Sequence, residues 1–426
     1  MKMKDRLVIN GNKPLNGRVK LSGSKNGALP IIAASLLVKN GKTILRNVPD
    51  ISDIHTMAEI LRRLGSKIEF DTLTHVMTID AKNLTTDEAC RELAPFIRAS
   101  FYVAGPLLAR LNSAKVPLPG GCSIGSRPVG YIVDALKELS VTAVEDIDLV
   151  TLTSKDGLTG ARIVLDPKYC SPGATFNAVM AATLAKGKTV VENASPDPEV
   201  ESFCEFLAQC GAKIKGIGTK TLEIDGVDEL NGTTYDIISD RIEAGTYLIA
   251  GVATKGDVEV YPLAFEHISS LTDIMTEMGV KITLTDNGVR ATWVKEIKSS
   301  TVYTAPYPGF PTDLQPPLVV LMTLAGGVSK LNEAIYNGRL GYIRDLRRMG
   351  ARVSINNDNS GVTIEGVHSL AGKLIEGTDM RAGAALAIAA LVADGESEVL
   401  GMRYIERGYE DIAGKFSSLG GNIELV

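Results

Sequence analysis

The sequence predicts an α/β protein of two lobes, built from six repeats of roughly 70 residues. Three observations predict this fold: a junction between a helix and a strand that recurs along the chain, a series of helices apolar on nearly every side, and a composition that supports large cores. Of the 426 residues, 45% are hydrophobic and 22% are charged, as in an ordinary globular protein of two or three domains.

The recurring junction is a helix-like segment that ends in a small residue and is followed by a strand-like run. Glycine suits the left-handed conformation at a helix C-terminus, and β-branched residues favour the strand after it. Ser140 replaces the glycine in the second copy, which makes that copy the weakest. The six copies begin at Leu64, Leu139, Cys210, Met278, Met349 and Leu419.

The apolar helices are rich in alanine and should be buried inside the lobes, because they have no polar face. The segment 58–64 is amphipathic instead and should cover the outside of a lobe. Gly-Lys-Thr triplets at 41–43 and 187–189 follow helices rather than precede one, so we interpret both as turns and not as phosphate-binding loops. The buried helices are expected at 27–38, 173–185, 245–254, 318–325 and 382–393.

Charged or capping residues stand at the heads of these helices. If three such helices run parallel in each lobe, their N-termini share one face, and their unbonded N–H groups attract anions. We therefore expect an electropositive cavity between the lobes that suits a phosphorylated carboxylate. The alternative for Asp240 and Asp379 is a role only as helix caps or ion-pair partners. The residues at the heads are Lys25, Asn26, Arg98, Ser171, Gly173, Asp240, Arg241, Asp313, Asp379 and Arg381.

A glycine-rich loop bounded by prolines, at 117–128, contains Cys122. Glycines allow unusual backbone angles, and Arg127 close by would favour the thiolate, so we expect an accessible thiol in a loop that can close over a ligand. The alternative is a surface loop with an incidental thiol. The other cysteines are expected to be inert, and they are Cys90, Cys170, Cys204 and Cys210.

Several classes of function are disfavoured by the composition. The net charge of -5 and the 5% of aromatic residues argue against nucleic acid as a partner. The N-terminus has no apolar signal region and the longest apolar runs are too short for a bilayer, so we expect a cytoplasmic protein that does not enter membranes. Scattered histidines, the lack of a CxxC pair and the lack of a GxGxxG motif predict neither a metal nor a dinucleotide cofactor.

Five segments resemble the enolpyruvyl transferases, and the resemblance covers essentially the whole chain. It implies a two-lobed inside-out α/β barrel of six repeats, with one lobe at 25–238 that carries a mobile Cys122 loop and the other at 1–24 and 239–426. The segments are Ser-Gly-Ser-Lys-Asn at 22–26, Leu-Pro-Gly-Gly-Cys-Ser-Ile-Gly-Ser-Arg-Pro at 118–128, Phe-Pro-Thr-Asp-Leu-Gln at 310–315, Thr-Asp-Met-Arg at 378–381 and Arg-Gly-Tyr-Glu at 407–410.

The activity implied by this resemblance is transfer of the enolpyruvyl group of phosphoenolpyruvate to the 3-hydroxyl of UDP-N-acetylglucosamine, with release of phosphate. In the family this is the first committed step of peptidoglycan precursor synthesis. Such a reaction needs an acid, a base and cations for phosphate and carboxylate. The resemblance implies no metal and no organic cofactor, and it leaves the oligomeric state open.

The residue roles also follow from the resemblance. Cys122 matches the family's acid, which bonds covalently to phosphoenolpyruvate and to fosfomycin, and Asp313 matches the residue at the acceptor hydroxyl. Lys25, Arg127 and Arg407 match the cations around phosphoenolpyruvate. The remaining substrate-binding positions are Asn26, Arg98, Ser171, Gly173, Ile335, Asp379 and Arg381.

Four departures from the family pattern leave the acceptor less secure than the reaction. Gly130 and Tyr131 stand where an aspartate is usual, the segment 166–173 is one residue longer, 337–340 departs from Asn-Arg-Phe, and Glu406 replaces an aspartate. The alternatives are the same transfer to a different uridine nucleotide in a specialised pathway, a non-catalytic nucleotide-sugar-binding paralogue, or other chemistry on the same fold.

Overall fold

The structure is a computed structural model that describes residues 5–119, 129–336 and 338–426. The described chain forms two compact units. The middle unit contains 23–119 and 129–238, and the terminal unit contains 5–22, 239–336 and 338–426. Each unit buries its own hydrophobic core.

In the middle unit, α1 and α5 are buried along most of their length, whereas α2 buries only one face. The predicted amphipathic helix at 58–64 is therefore confirmed as part of α2. The 3-10 helices are Ser35–Leu37, Ala94–Phe96 and Arg98–Val103. The α-helices are α1 (Lys25–Ala34), α2 (Ser52–Arg63), α3 (Ala104–Leu111), α4 (Gly130–Lys137), α5 (Pro172–Thr183) and α6 (Pro198–Gln209).

The three larger sheets of the middle unit share one plan, in which a central pair of antiparallel strands is flanked by a further antiparallel strand and a parallel strand. In the second sheet the parallel strand is reduced to one bridge, between Glu88 and Lys115. In spatial order the sheets are Thr234–Asp236, Thr43–Arg46, Val76–Asp80 and Lys67–Asp71; Ser113–Pro117, Leu149–Thr153 and Thr142–Glu145; Arg162–Val164, Lys188–Glu192, Thr221–Asp225 and Lys213–Lys215; and the pair Leu230–Asn231 and Val38–Asn40.

In the terminal unit three helices, α7, α9 and α11, are buried on all sides and pack against one another. The 3-10 helices are Phe265–Ile268 and Thr312–Leu314. The α-helices are α7 (Arg241–Ala253), α8 (Ser269–Glu277), α9 (Gln315–Thr323), α10 (Ile343–Arg348), α11 (Met380–Val392), α12 (Met402–Ile405) and α13 (Ile412–Ser418).

The N-terminal strand Arg6–Asn10 completes the sixth repeat. It lies between two strands from the end of the chain and is antiparallel to both, with Arg6 opposite Leu400 and Leu7 opposite Leu425. In spatial order the sheets are Lys281–Thr285, Gly288–Thr292, Asp257–Tyr261 and Asn16–Lys20; Thr301–Tyr303, Val328–Asn332, Gly361–Glu365 and Arg352–Ile355; Leu374–Glu376, Glu396–Leu400, Arg6–Asn10 and Asn422–Leu425; and the pair Leu370–Ala371 and Ala393–Asp394.

The six predicted junctions are confirmed. Each glycine adopts a positive φ, from 93° at Gly420 to 110° at Gly65, and a strand follows. Ser140 adopts the same left-handed conformation, with φ at 67°, so the second copy keeps the geometry without glycine. The Gly-Lys-Thr triplet at 41–43 joins the strands Val38–Asn40 and Thr43–Arg46, and the triplet at 187–189 leads from α5 into the strand Lys188–Glu192. The φ angle is 82° at Gly41 and 93° at Gly187.

The buried helices begin earlier than predicted, because the apolar pattern marks the buried stretch and not the cap. Lys25, Arg241 and Arg381 lie inside the first turn of α1, α7 and α11, rather than ahead of it. In the part of the chain that the structure describes, no helix is both long enough and apolar enough to cross a bilayer.

Candidate active site

Side chains from the heads of α9 and α11 meet around the carboxylate of Asp313. Asp313 lies in the 3-10 helix before α9, and Arg381 lies in the first turn of α11. Arg381 donates from Nε and Nη2 to Asp313 Oδ2, at 3.1 and 3.0 Å. Arg339 Nη1 lies 2.7 Å from Asp313 Oδ1. A guanidinium group therefore contacts each oxygen of this carboxylate.

Both arginines are buried beneath Asp313. The side chains of Arg339 and Arg381 are 4% and 1% exposed, whereas that of Asp313 keeps 21% of its surface. Arg339 Nη1 also donates to Thr312 Oγ1 at 3.0 Å, so its guanidinium orientation is fixed. Asp313 is thus the accessible member of a rigid charged group.

The charges of these arginines are stabilised by their neighbours. Burial lowers the pKa of Arg381, but Tyr409 and the carboxylates of Asp313 and Asp240 outweigh it and raise the pKa above its usual value. Burial likewise lowers the pKa of Arg339, and Asp313 with Asp379 reverses this into a net increase. Both arginines therefore stay cationic over the whole physiological range.

Asp240 and Asp379 cap α7 and α11, as their positions at the helix heads predict. Asp240 accepts the N–H groups of Ile242 and Glu243 at 2.8 and 2.9 Å. Asp379 accepts those of Arg381 and Ala382 at 2.9 and 3.1 Å. Each carboxylate also acts on a buried arginine, so capping and charge compensation come from the same side chains.

The heads of α7, α9 and α11 converge, as expected for parallel buried helices. Arg381 on α11 bonds Asp313 before α9 and is within electrostatic reach of Asp240 at α7. The Tyr409 ring lies 5.2 Å from the Arg381 guanidinium, and its hydroxyl is 2.9 Å from Thr246 Oγ1 on α7. Tyr409 thereby links α7 and α11 to the segment that contains Arg407.

Ile335 lies in a turn organised by the buried carboxylate of Glu333. Glu333 accepts the N–H groups of Ile335 and Tyr336 at 2.9 and 3.0 Å. It also accepts the hydroxyl of Thr312 at 2.8 Å, and Thr312 is the partner of Arg339. The position of Ile335 is therefore linked to the Asp313 group through side-chain hydrogen bonds.

In the middle unit, hydroxyl groups cap the heads of α1 and α5. Ser24 accepts the Gly27 N–H at 3.2 Å at the head of α1, which begins at Lys25 and continues with Asn26. Lys25 Nζ lies 3.4 Å from Asp53 Oδ2, and both side chains are buried. Lys25 is therefore a buried cation whose ammonium group is held by a carboxylate on α2.

The other two heads of this unit belong to Arg98 and Ser171. Arg98 opens the 3-10 helix Arg98–Val103 that runs into α3. Ser171 accepts the Ala174 N–H at 3.3 Å at the head of α5. A Cβ at Gly173 would make only ordinary contacts, so neighbouring atoms do not demand glycine there.

The departures from the family pattern that fall in this unit form an aromatic pair. The rings of Tyr131, on α4, and Tyr169, before α5, lie 5.6 Å apart, and Lys168 Nζ lies 5.1 Å from the centre of the Tyr169 ring. A Cβ at Gly130 would meet no atom within 4 Å. These side chains flank the same helix head as Ser171.

The predicted residues therefore fall into three groups, of which the first comprises the helix heads of the middle unit with Lys25, Arg98 and Ser171. The terminal unit brings together Asp313, Asp379 and Arg381, whereas Cys122 and Arg127 lie outside the described residues. Within the described ranges, no group of three His, Cys, Asp or Glu side chains is arranged to hold a metal.

The sequence reasoning missed Arg339, which contacts Asp313 directly. The signal in the sequence is an arginine four residues after Ile335, within the segment 337–340 that departs from the family pattern. The pairing itself could not be read from the sequence, since many arginines were equally eligible.

The fold and the charged helix heads are those expected of an enolpyruvyl transferase, and sequence comparison shows the family. A profile of the family described as EPSP synthase (3-phosphoshikimate 1-carboxyvinyltransferase) matches residues 9–416. The chain belongs to the enolpyruvyl transferase family. The predicted two-lobed inside-out α/β barrel of six repeats is thereby confirmed as the fold class.

Relatives named UDP-N-acetylglucosamine 1-carboxyvinyltransferase match the chain almost end to end. The relative from Chloroherpeton thalassium is 42% identical over 420 residues, which cover 98% of this chain and 96% of the relative. The relative from Halothermothrix orenii is 43% identical over 421 residues, 99% of each chain. A relative from Staphylococcus epidermidis, whose name carries the suffix 1, is 41% identical over 422 residues, 99% of each.

Solved structures share the fold at lower identity. The enolpyruvyl transferase NikO from Streptomyces tendae superposes with a TM-score of 0.89 at 24% identity, over 98% of both chains. The EPSP synthase of Acinetobacter baumannii superposes with a TM-score of 0.72 at 18% identity, over 98% of this chain and 99% of its own.

Proposed function

We propose that this protein transfers the enolpyruvyl group of phosphoenolpyruvate to the 3-hydroxyl of UDP-N-acetylglucosamine and releases phosphate, as an early step of peptidoglycan precursor synthesis. The observation that carries the proposal is the end-to-end match to relatives named for this reaction. The charged group around Asp313 supports it, because the reaction needs a fixed carboxylate near the acceptor hydroxyl.

The reaction proceeds by addition and elimination. The acceptor oxygen bonds to C2 of phosphoenolpyruvate and loses its proton, while C3 gains a proton to become a methyl group. Phosphate then leaves C2 as the methyl group gives up a proton, which restores the double bond. No electrons are exchanged with a cofactor in either step.

Asp313 is placed to orient the acceptor hydroxyl and to accept its proton. Two guanidinium groups hold its carboxylate in one orientation, and 21% of the side chain remains accessible. The buried Nε of Arg339 has no hydrogen-bond partner among the described residues, so the group still has a donor for a ligand or a water molecule.

The acid at C3 is assigned to Cys122, and the cations around phosphoenolpyruvate to Lys25, Arg127 and Arg407. For Cys122 and Arg127 the assignment rests on the sequence motif alone. For Lys25 the support is its burial at a helix head, where the helix dipole and the ammonium group both favour an anion. The acceptor is assigned to Asn26, Arg98, Ser171, Gly173, Ile335, Asp379 and Arg381.

Phosphate release tests the reaction and the acceptor together. The protein is incubated with phosphoenolpyruvate and, in separate reactions, UDP-N-acetylglucosamine, UMP and shikimate 3-phosphate. We expect release with UDP-N-acetylglucosamine and none with shikimate 3-phosphate. Release with UMP alone would transfer the proposal to another acceptor, and silence with every acceptor would contradict transferase activity.

Fosfomycin labelling tests the assignment of Cys122 separately. We expect mass spectrometry to show one covalent adduct on the wild-type protein and none on Cys122→Ser. Cys90→Ser is the matched control, because Cys90 is a partly exposed free thiol in the described part of the chain and should leave labelling intact. An adduct that persists in Cys122→Ser would refute the assignment.

A second candidate is the same transfer to a different uridine nucleotide. The observation that favours it is the Tyr131–Tyr169 pair, which stands where the family usually has an aspartate and a shorter segment. Aromatic faces bind a nucleobase without the hydrogen bonds of a carboxylate, so the acceptor preference would change. The UMP reaction above distinguishes this candidate from the first.

We also propose that the functional lobes are 25–238 and 1–24 with 239–426, and that the protein acts in the cytoplasm. The free thiols of Cys90, Cys170, Cys204 and Cys210 are consistent with a reducing compartment.

A further inference from the structure

An ion pair between a buried carboxylate and a half-buried lysine, outside the group around Asp313, fixes the chain where it leaves the terminal unit. Within the described residues, the chain passes from one unit to the other between Ser22 and Gly23 and again between Ile238 and Ser239. Glu243, in the first turn of α7, is 1% exposed and its Oε1 is 2.6 Å from Lys415 Nζ on α13. Both residues also bond Ser22.

Every polar group of Ser22 is engaged by this arrangement. Its N–H donates to Glu243 Oε2 at 2.7 Å, and its hydroxyl accepts from Lys415 Nζ at 2.7 Å. Its carbonyl accepts the N–H of Asp240 at 3.0 Å. We call Ser22, Asp240, Glu243 and Lys415 the crossing clamp.

The clamp is a modified capping box. In an ordinary box the glutamate at the third helical position bonds the N–H of the capping residue. Here Asp240 caps the Glu243 N–H, but the Asp240 N–H goes to Ser22 and the Glu243 side chain takes the Ser22 N–H. Ser22 is thereby inserted into the cap of α7.

Only Gly23 separates Ser22, which the clamp holds, from Ser24, whose backbone is held by the middle unit. Ser24, the cap of α1, donates its N–H to the Ile238 carbonyl at 2.6 Å within the middle unit. A Cβ at Gly23 would overlap the carbonyl oxygen of Asn47, so a side chain there could not be accommodated without movement. Lys25 follows directly, so the clamp limits where the chain can deliver Lys25.

We propose that Glu243 and Lys415 are positioning residues for the reaction: the clamp fixes Ser22 against the head of α7, and through this short segment it places Lys25. The proposal rests on the proposed function of Lys25. It extends that function, because neither Glu243 nor Lys415 belongs to the groups assigned to the substrates.

The electrostatic environment of Glu243 indicates that its carboxylate depends on Lys415. Burial raises the pKa of Glu243 above its usual value, and Lys415 acts against this increase. A carboxylate in this environment depends on its lysine partner, since an unpaired buried charge is strongly unfavourable.

The test uses the full chain with Glu243→Gln/Lys415→Met, which removes both charges together and should melt close to wild type. Amide exchange measured by mass spectrometry should accelerate at 22–25 and 239–241. The kcat/KM for phosphoenolpyruvate should fall about 10- to 100-fold, because small displacements of a positioned group reduce rates on this scale. Arg6→Met/Glu398→Gln, which removes an exposed pair in the same unit, is the matched control and should change neither readout.

Two results would overturn the proposal. Faster exchange with unchanged kcat/KM would show that the clamp does not position Lys25, and unchanged exchange would show that the clamp does not hold Ser22. A wild-type chain that releases no phosphate with any acceptor would refute the proposed function and with it the catalytic half of the inference. The amide-exchange measurement would then still show whether the clamp holds Ser22.

Discussion

The helix heads of the two units differ in the chemistry of their caps. In the terminal unit α7 and α11 are capped by Asp240 and Asp379, whereas in the middle unit α1 and α5 are capped by Ser24 and Ser171. A carboxylate offsets the positive end of a helix, and a neutral hydroxyl leaves it largely intact.

This difference suits the two units to different tasks. The heads of the middle unit keep their positive potential, which favours binding of an anion. Those of the terminal unit compensate their charges internally, and they present a carboxylate, Asp313, above two buried guanidinium groups. The terminal heads are therefore better suited to proton transfer and the middle heads to anion binding, and the predictions below test this division.

The largest effect is expected at Asp313. Asp313→Asn keeps the shape of the side chain but removes the charge and most of the basicity, so we expect kcat for phosphate release to fall about 100- to 10,000-fold. The KM for phosphoenolpyruvate should change little, since Asp313 is assigned to the acceptor hydroxyl and not to phosphoenolpyruvate.

Thermal melting of the same variant serves as the control, because neutral asparagine leaves Arg339 and Arg381 with less compensation and should lower stability. The assay is therefore run well below the midpoint of the variant. A kcat within about threefold of wild type would contradict a role for Asp313 in proton transfer.

A large loss of stability is expected for Arg381→Lys. The ammonium group cannot reproduce the two N–H bonds that Arg381 makes to Asp313 Oδ2, and a buried charge is left poorly paired. We expect the free energy of unfolding to fall by about 2–4 kcal/mol in urea titration. Arg63→Lys on α2 is the control, since its exposed pair with Glu59 should make no measurable difference. Equal midpoints for the two variants would contradict the buried group as a source of stability.

The fold could be predicted from the sequence because its repeat depends on local requirements. A helix that turns into a strand needs one residue in the left-handed region, and glycine marks this position in five of six copies. Ser140 shows that the geometry persists where the marker is lost. The completion of the sixth sheet by Arg6–Asn10 was not predictable, since it joins the two ends of the chain.

The candidate site could be predicted only in part, for a related reason. Charge at the helix heads is visible in the sequence, so Asp313, Asp379 and Arg381 were found. Arg339 was missed because its pairing with Asp313 depends on tertiary structure, and nothing local distinguishes it from other arginines. The Glu243–Lys415 pair spans 172 residues and was missed for the same reason.

Exchanging the hydroxyl and carboxylate caps tests more directly whether the middle heads serve anion binding and the terminal heads proton transfer. Ser171→Asp keeps a good cap on α5, so the melting temperature should stay close to wild type, but it adds a negative charge where an anionic substrate is expected. We expect an increase of about tenfold in KM for the nucleotide-sugar acceptor. The reciprocal Asp379→Ser keeps the cap of α11 and should instead lower stability, because Arg339 loses a compensating charge.

Equal effects of the two cap exchanges would contradict the proposed difference between the units. If Ser171→Asp and Asp379→Ser changed KM and stability to the same extent, the two kinds of head would be electrostatically equivalent. Ser171→Thr, which keeps a neutral hydroxyl cap, is the control and should bind the acceptor with nearly wild-type KM.

The smallest effect concerns His267, which lies close to the head of α7. Burial lowers its pKa below the usual 6.5, Arg241 lowers it further, and Glu266 opposes the shift. Well above pH 6.5 the histidine is neutral in both the folded and the unfolded state and does not affect stability. As the pH falls through 6.5, the unfolded state binds the proton first, so the folded state loses stability until its own lowered pKa is reached.

We expect His267→Gln to flatten the pH dependence of the free energy of unfolding, measured in urea, by at most one proton in this window. His55→Gln, which removes an exposed pair with Asp50, serves as the comparison variant. Identical slopes for wild type and His267→Gln would contradict a lowered pKa of His267 in the folded state, and with it the combined effect of burial and of Arg241 at the head of α7.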